Sequence, residues 1–344
     1  MKVCSTVVNM SSTSIAILLL SLLLIPNLTF VSVVVVVSSI PLSEFFPFDA
    51  DKAGPRTSDS ERNDRLLERG DDISSGEFHF SLPIRYDGVT YTSCYINTNG
   101  FVSFTTEIPN FQNKEIPICD YPIIAPFYAD VDTTRAGTIH YRETKDNQLL
   151  SLMSNRIRAY FDTEFSARNA IIATWYRVGR YKAGFNVTNT FQLVIASSGP
   201  VTYALFLYAD DSIQWIRGDG KNPNLPDAFA QAGFQGTGGF SYYKLQGSGT
   251  VHMLKMDRLS NINEPGIFVY RVSDELCEQP LTKYDRASSA VNNGFWLERQ
   301  GASSVLGPTC GVRPCHINAT CDENTGCCRC KPGHSGDGLD CIAQ

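Results

Sequence analysis

EFHFSLPIRYDGVTYTSCYINTNGFVSF, residues 77–104, alternates apolar and polar positions around two turn signals. Phe78, Phe80 and Leu82 fall on one face of an extended chain. Residues 84–92 pass through Asp87-Gly88, a pair that favours a two-residue hairpin turn. Residues 94–104 alternate again around Asn99-Gly100. A period of two buries one face of a pleated strand, so this stretch predicts antiparallel β structure.

Outward from it, apolar runs at 123–131, 137–142, 170–178, 190–196, 202–208, 212–216, 230–235 and 267–272 predict further strands. Ser197-Ser198-Gly199-Pro200 and Ala209-Asp210-Asp211 are turn-like links between them. One stretch changes period: Leu150, Met153, Ile157 and Phe161 share a helical face, which predicts an amphipathic helix of about three turns. Many short strands with tight turns imply a mainly β fold. We expect an antiparallel sandwich or barrel-like core, one or two packed helices, and a small disulfide-stapled module at the C-terminus.

The 344 residues leave room for one domain of roughly 230 residues and a small module. A hydrophobic fraction of 43% and a charged fraction of 19% are those of a folded chain. A net charge of −6 provides no basic footprint, which argues against nucleic acid as a partner. Of 11 cysteines, Cys4 lies in the leader, Cys94, Cys119 and Cys277 are dispersed, and seven crowd between Cys310 and Cys341. That leaves an even number after the leader, as complete pairing in an oxidising compartment requires.

Lys2 precedes apolar runs at 15–25 and 30–37 that end in Ser38-Ser39, so residues 1–39 read as a signal peptide cleaved after Ser39. The alternative is an uncleaved anchor, since the two runs together approach membrane-spanning length. Residues 40–76 are polar and read as an extended lead-in with little core, and residues 277–305 read as a linker.

The ordered series Asn97-Thr98-Asn99-Gly100, Ala125-Pro126-Phe127-Tyr128-Ala129-Asp130-Val131-Asp132 and Tyr141-Arg142-Glu143 resembles the NIDO domain of nidogens, tectorins and membrane mucins. Ala173-Thr174-Trp175-Tyr176-Arg177-Val178, Asn189-Thr190-Phe191-Gln192, Ile213-Gln214-Trp215, Ala232-Gly233-Phe234, Ser260-Asn261 and Pro265-Gly266 continue it. The resemblance assigns residues 77–276 to that domain. The tail, residues 306–344, resembles a nidogen-type EGF-like module with a Cys327-Cys328 doublet.

The EGF likeness implies bonds Cys310–Cys321, Cys315–Cys328 and Cys330–Cys341. Cys94–Cys119 and Cys277–Cys327 are then the expected remaining pairs. Leu306-Gly307-Pro308-Thr309 lacks the acidic pair of calcium-binding modules, so no calcium is expected there. The β-barrel by which nidogens grip matrix proteins has no counterpart before Gln344. Overall, the resemblance implies a secreted extracellular-matrix or basement-membrane protein that attaches cells to matrix through protein contacts. A membrane-tethered, mucin- or tectorin-like surface protein is the alternative.

The five histidines fall in no catalytic or metal-binding spacing, so we expect no enzymatic activity, small-molecule substrate, metal or cofactor. Asp130 and Asp132 would share one strand face, but calcium takes six to eight oxygens, and backbone-bonded or solvated carboxylates are the simpler reading. Asn186-Val187-Thr188 and Asn318-Ala319-Thr320 are glycan acceptors in a secreted chain. Arg-Gly-Asp occurs twice, at Arg69-Gly70-Asp71 and Arg217-Gly218-Asp219. Integrins read such an arch, although each copy has the plainer reading of a solvated turn. The second follows a predicted strand, so it is expected to be the stiffer and stronger of the two. The first lies in the lead-in and is expected to be flexible.

Overall fold

The computed structural model describes residues 39–49, 64–108, 110–161, 164–182, 186–217, 229–239 and 241–274. In the tail it describes 306–310, 313–316, 318–322, 327–336 and 341–343. The expected linker and Cys277 lie outside the described residues, as does the expected leader apart from Ser39.

In chain order the first half comprises β1 (Arg65–Leu66), β2 (Phe78–Tyr86), β3 (Val89–Asn97), β4 (Phe101–Ser103), β5 (Ile123–Tyr128), β6 (Val131–Asp132), β7 (Thr138–Thr144) and α1 (Asn147–Phe161). Then come β8 (Asn169–Arg180), β9 (Asn189–Ser197), β10 (Thr202–Leu207), β11 (Gln231–Gln235), β12 (Tyr242–Lys244) and β13 (Ile267–Arg271). All pairings are antiparallel. A 7-stranded sheet runs β1-β7-β8-β9-β10-β13 with β6 attached to β8, and a 6-stranded sheet runs β12-β11-β5-β4-β3-β2. As expected, Asp87-Gly88 closes a tight hairpin with Tyr86 opposite Val89, and both turn residues have positive φ.

The sheets face each other across a shared core that includes Ile84, Ile96, Phe127, Trp175, Phe191, Phe206 and Phe234. The Trp175 ring stacks on Phe191 with centroids 5.1 Å apart. The other face of the 7-stranded sheet is also covered. Ile171, Ala173 and Trp175 of β8 belong to the shared core, while Ala170, Ile172 and Tyr176 join the cluster that α1 and Phe48 also line. Burial on both faces explains why β8 and β9 read as nearly continuous apolar runs. Helix α1 follows the expected stripe, burying Leu149, Leu150, Met153, Ile157 and Phe161. Asp146 caps it, its carboxylate accepting from Leu149 N at 2.8 Å.

Two expectations need correction. Residues 212–216 form no strand. Their backbone is held by the Asn189 side chain, whose Oδ1 accepts from Gln214 N and Trp215 N and whose Nδ2 donates to Trp215 O at 2.7 Å. The stretch 40–76 is not a coreless lead-in. Phe45, Phe46 and Phe48 are buried in one cluster with α1 and the outer face of the 7-stranded sheet. Gln192 of β9 clasps their backbone, accepting from Phe46 N and donating to Phe46 O, both at 2.9 Å. Farther on, β1 extends the 7-stranded sheet through β7.

In the tail, β14 (Leu306–Cys310), β15 (Arg313–His316), β16 (Ala319–Asp322), β17 (Cys327–Cys330), β18 (His334–Gly336) and β19 (Cys341–Ala343) form three two-stranded antiparallel ladders, paired in sequence order.

Candidate functional site

The turn after β3 gathers three separate stretches of chain. Asn97 Oδ1 accepts from Asn99 N at 2.8 Å, which closes the turn, and Asn97 Nδ2 donates to Ile108 O at 2.7 Å. Gly100 is needed here: its φ is +77°, and a Cβ would lie 1.9 Å from the Phe127 carbonyl oxygen. Asn99 reaches both ways, its Oδ1 accepting from Val131 N and its Nδ2 donating to Asp72 Oδ1 at 2.6 Å. Thr98 Oγ1 accepts from Ile73 N at 3.1 Å. Thr133 Oγ1 accepts from Gly70 N at 2.9 Å, and Thr133 N donates to Gly70 O at 3.0 Å.

This stitching brings acidic groups together. Carboxylate oxygens of Asp71, Asp72 and Asp130 all lie within 4.8 Å of one another. Asp130 is buried, and Asp72 Oδ1 also accepts from Phe111 N at 2.8 Å. Three carboxylates supply part of a hard-cation shell, short of the six to eight oxygens calcium takes. The simpler reading, a carboxylate bonded to backbone, fits Asp132, while Asp130 groups with Asp71 and Asp72. Asp130 precedes β6, whereas the Asp132 carboxylate accepts from Thr134 N at 2.7 Å. Asp71 and Asp72 were missed as partners of Asp130 because their stretch showed no periodicity, and only the acidic Asp71-Asp72 pair marked it.

The first Arg-Gly-Asp is therefore held, not flexible. Arg69 is exposed, but Gly70 is buried, and a Cβ there would meet Ile73 Cγ1 at 2.3 Å. Asp71 is half-buried and bridges to Asp132 across an isolated antiparallel pair. In the second copy Arg217 is exposed, with its guanidinium 4.2 Å from the Phe229 ring centroid and its carbonyl accepting from Arg180 Nη1 at 3.3 Å. Gly218 and Asp219 lie outside the described residues.

Asn186 is exposed in the connection between β8 and β9, and Asn318 is half-buried. Cys94 and Cys119 are both free thiols, not the expected bonded pair. Cys94 points into the shared core, whereas Cys119 packs with Phe101, Ile123 and Tyr128 on the opposite face of the 6-stranded sheet. Burial raises both thiol pKa values. Of Cys310, Cys315, Cys321, Cys327, Cys328, Cys330 and Cys341 only the backbone is described.

Among the described residues no helix is long and apolar enough to cross a membrane. No solved structure matches the chain. Nidogen of Drosophila melanogaster is 31% identical over 89% of this chain and 22% of its own length. Alpha-tectorin of Mus musculus is 36% identical over 69% of the chain and 11% of its own, and Nidogen-2 of Mus musculus 38% over 44% and 12%. The chain thus spans about a fifth or less of these relatives. The nidogen-like domain, NIDO, matches residues 92–274, and the chain belongs to that family.

Proposed function

We propose that the chain is a secreted component of the extracellular matrix that acts through protein–protein contacts and attaches cells to matrix. The observation that carries this reading is the 31% identity to a nidogen along 89% of the chain, well beyond the matched domain. The rest of the proposal is finer. Residues 306–344 form an EGF-like module with bonds Cys310–Cys321, Cys315–Cys328 and Cys330–Cys341. Asn186 and Asn318 carry glycans. Integrins are engaged through Arg217-Gly218-Asp219, which the exposed Arg217 and its ring-stacked guanidinium support. Arg69-Gly70-Asp71 is the weaker candidate, because Gly70 and Asp71 are committed to the interior contacts described above.

The test is expression in a eukaryotic secretory host, followed by adhesion of integrin-bearing cells to the purified protein. We expect release into the medium, a mass drop on removal of N-glycans, and loss of adhesion in Asp219→Glu. Equal adhesion by wild type, Asp219→Glu and Asp71→Glu would refute the Arg-Gly-Asp mechanism. Retention in the membrane fraction with an uncleaved leader would favour the tethered alternative.

A further inference from the structure

The compact body containing the sandwich begins at Ser39, where two carboxylates wait. Ser39 Oγ donates to Asp210 Oδ1 at 3.0 Å and lies 3.3 Å from Asp257 Oδ2. Asp257 is 4% exposed, and its Oδ1 is buried with no hydrogen-bond partner among the described residues. Among the described residues its Oδ2 receives, besides Ser39, two long contacts: Asp211 N at 3.4 Å and Nε of the largely exposed Arg258 at 3.7 Å. A buried carboxylate with one oxygen unbonded is costly unless a cation or further donors reach it.

Ile40, the next residue, is seated beside them. It is buried, and its carbonyl accepts from Asp210 N at 2.8 Å. Gly266 makes room for it: φ is +88°, and a Cβ would lie 3.2 Å from Ile40 Cγ1 and 2.3 Å from Tyr208 O.

We propose that Asp257, with Asp210, is a receptor for the chain's own α-ammonium, created when the Ser39–Ile40 bond is hydrolysed. Water adds across the bond. Its hydroxyl stays on the Ser39 carboxyl, which leaves with the leader, and the Ile40 amine takes up protons to become an ammonium at neutral pH. Departure of Ser39 removes a neutral donor from the two carboxylates, and the ammonium supplies three charged ones in its place. Secretory processing then strengthens the hold of the already seated Ile40 and Phe45–Phe48 segment on the sandwich. The inference rests on the secreted reading for the cut itself.

The two can fail separately. N-terminal sequencing of the secreted protein decides the cut, with Ile40 expected and any other first residue overturning the link to secretion. The receptor is tested on a chain in which a protease site directly before Ile40 replaces the leader. Cutting should raise Tm by on the order of 5 °C, and Asp257→Asn should abolish that rise while leaving the uncut chain no less stable. No rise on cutting, or equal losses from Asp257→Asn in cut and uncut protein, overturns the proposal. Should Asp257→Asn not fold, the cut wild type still decides. Its α-amine should react with an amine reagent at least about tenfold more slowly than in the unfolded chain, and full reactivity in the native protein refutes the pairing.

Discussion

Replacing Asp64 with Asn removes one charge from a buried ion pair and leaves the side chain's shape intact. Asp64 Oδ1 meets Arg142 Nη1 at 2.6 Å, and the two side chains are 2% and 4% exposed. Asp64 Oδ2 also accepts from Asp49 N at 2.8 Å, a bond that the Asn carbonyl can keep. Among the described residues the guanidinium has no second hydrogen-bonded support, since Arg142 Nε and Nη2 are buried without a partner there. Losing one member of such a pair strands the other and costs about 3–5 kcal/mol. For a domain of this size that is a fall in Tm of roughly 6–20 °C, at about 2–4 °C per kcal/mol. Thermal unfolding followed by tryptophan fluorescence reads it, because Trp175 and Trp215 are both buried in the shared core. Adding Arg142→Met should recover at least half of the loss, because the stranded cation is then gone. A loss under about 1 kcal/mol in Asp64→Asn, or no recovery in the double variant, would refute the claim that this pair ties the segment before β1 to β7.

Gln192→Ala should cost about 2–5 kcal/mol, since it strands the Phe46 amide and carbonyl in the interior, and the cost should be much smaller in a chain lacking residues 39–49, where only the bond from Gln192 Nε2 to Thr174 Oγ1 at 2.8 Å is left to lose. Chemical denaturation of both backgrounds checks this. Burial holds the His140 pKa below its ordinary value, so the unfolded chain takes up a proton that the native chain resists. Stability should therefore fall as pH drops below about 6.5, and less so in His140→Gln, as Tm between pH 7 and 5 would show. Cys119, half-exposed, should be alkylated in native protein under conditions that spare Cys94, and recovery of a Cys94–Cys119 peptide on mapping would contradict this.

The strands were legible wherever one rule governed the residues. Residues 77–104 alternate because one face meets the core, and α1 shows its stripe because only one side is covered. Legibility failed where side chains replaced backbone ladders. Residues 212–216 have strand composition, but Asn189 supplies the partners that a neighbouring strand would. The segment at 45–48 failed for a related reason. Phe45, Phe46 and Phe48 carry no period because a buried glutamine, not a neighbouring strand, fixes their backbone. The acidic cluster needed the fold itself. Asp130 was visible as a candidate, but Asp71 and Asp72 are brought to it by contacts with Thr98, Asn99, Asp132 and Thr133 that appear once the chain is folded.

That cluster changes how an adhesion experiment must be read. Glu at position 71 adds a methylene where three carboxylates already lie within 4.8 Å of one another and Asp71 Oδ1 is itself buried. Overfilling a packed site costs about 1–3 kcal/mol, so Asp71→Glu should lower Tm whatever its effect on cells. If the tripeptide at 69–71 is structural, adhesion per folded molecule should equal that of the wild type once unfolded protein is removed. Loss of adhesion in Asp71→Glu at full occupancy of folded protein would mean that the Asp71 carboxylate leaves the cluster to meet a receptor. The structural reading of Gly70, Asp71 and Thr133 would then be wrong.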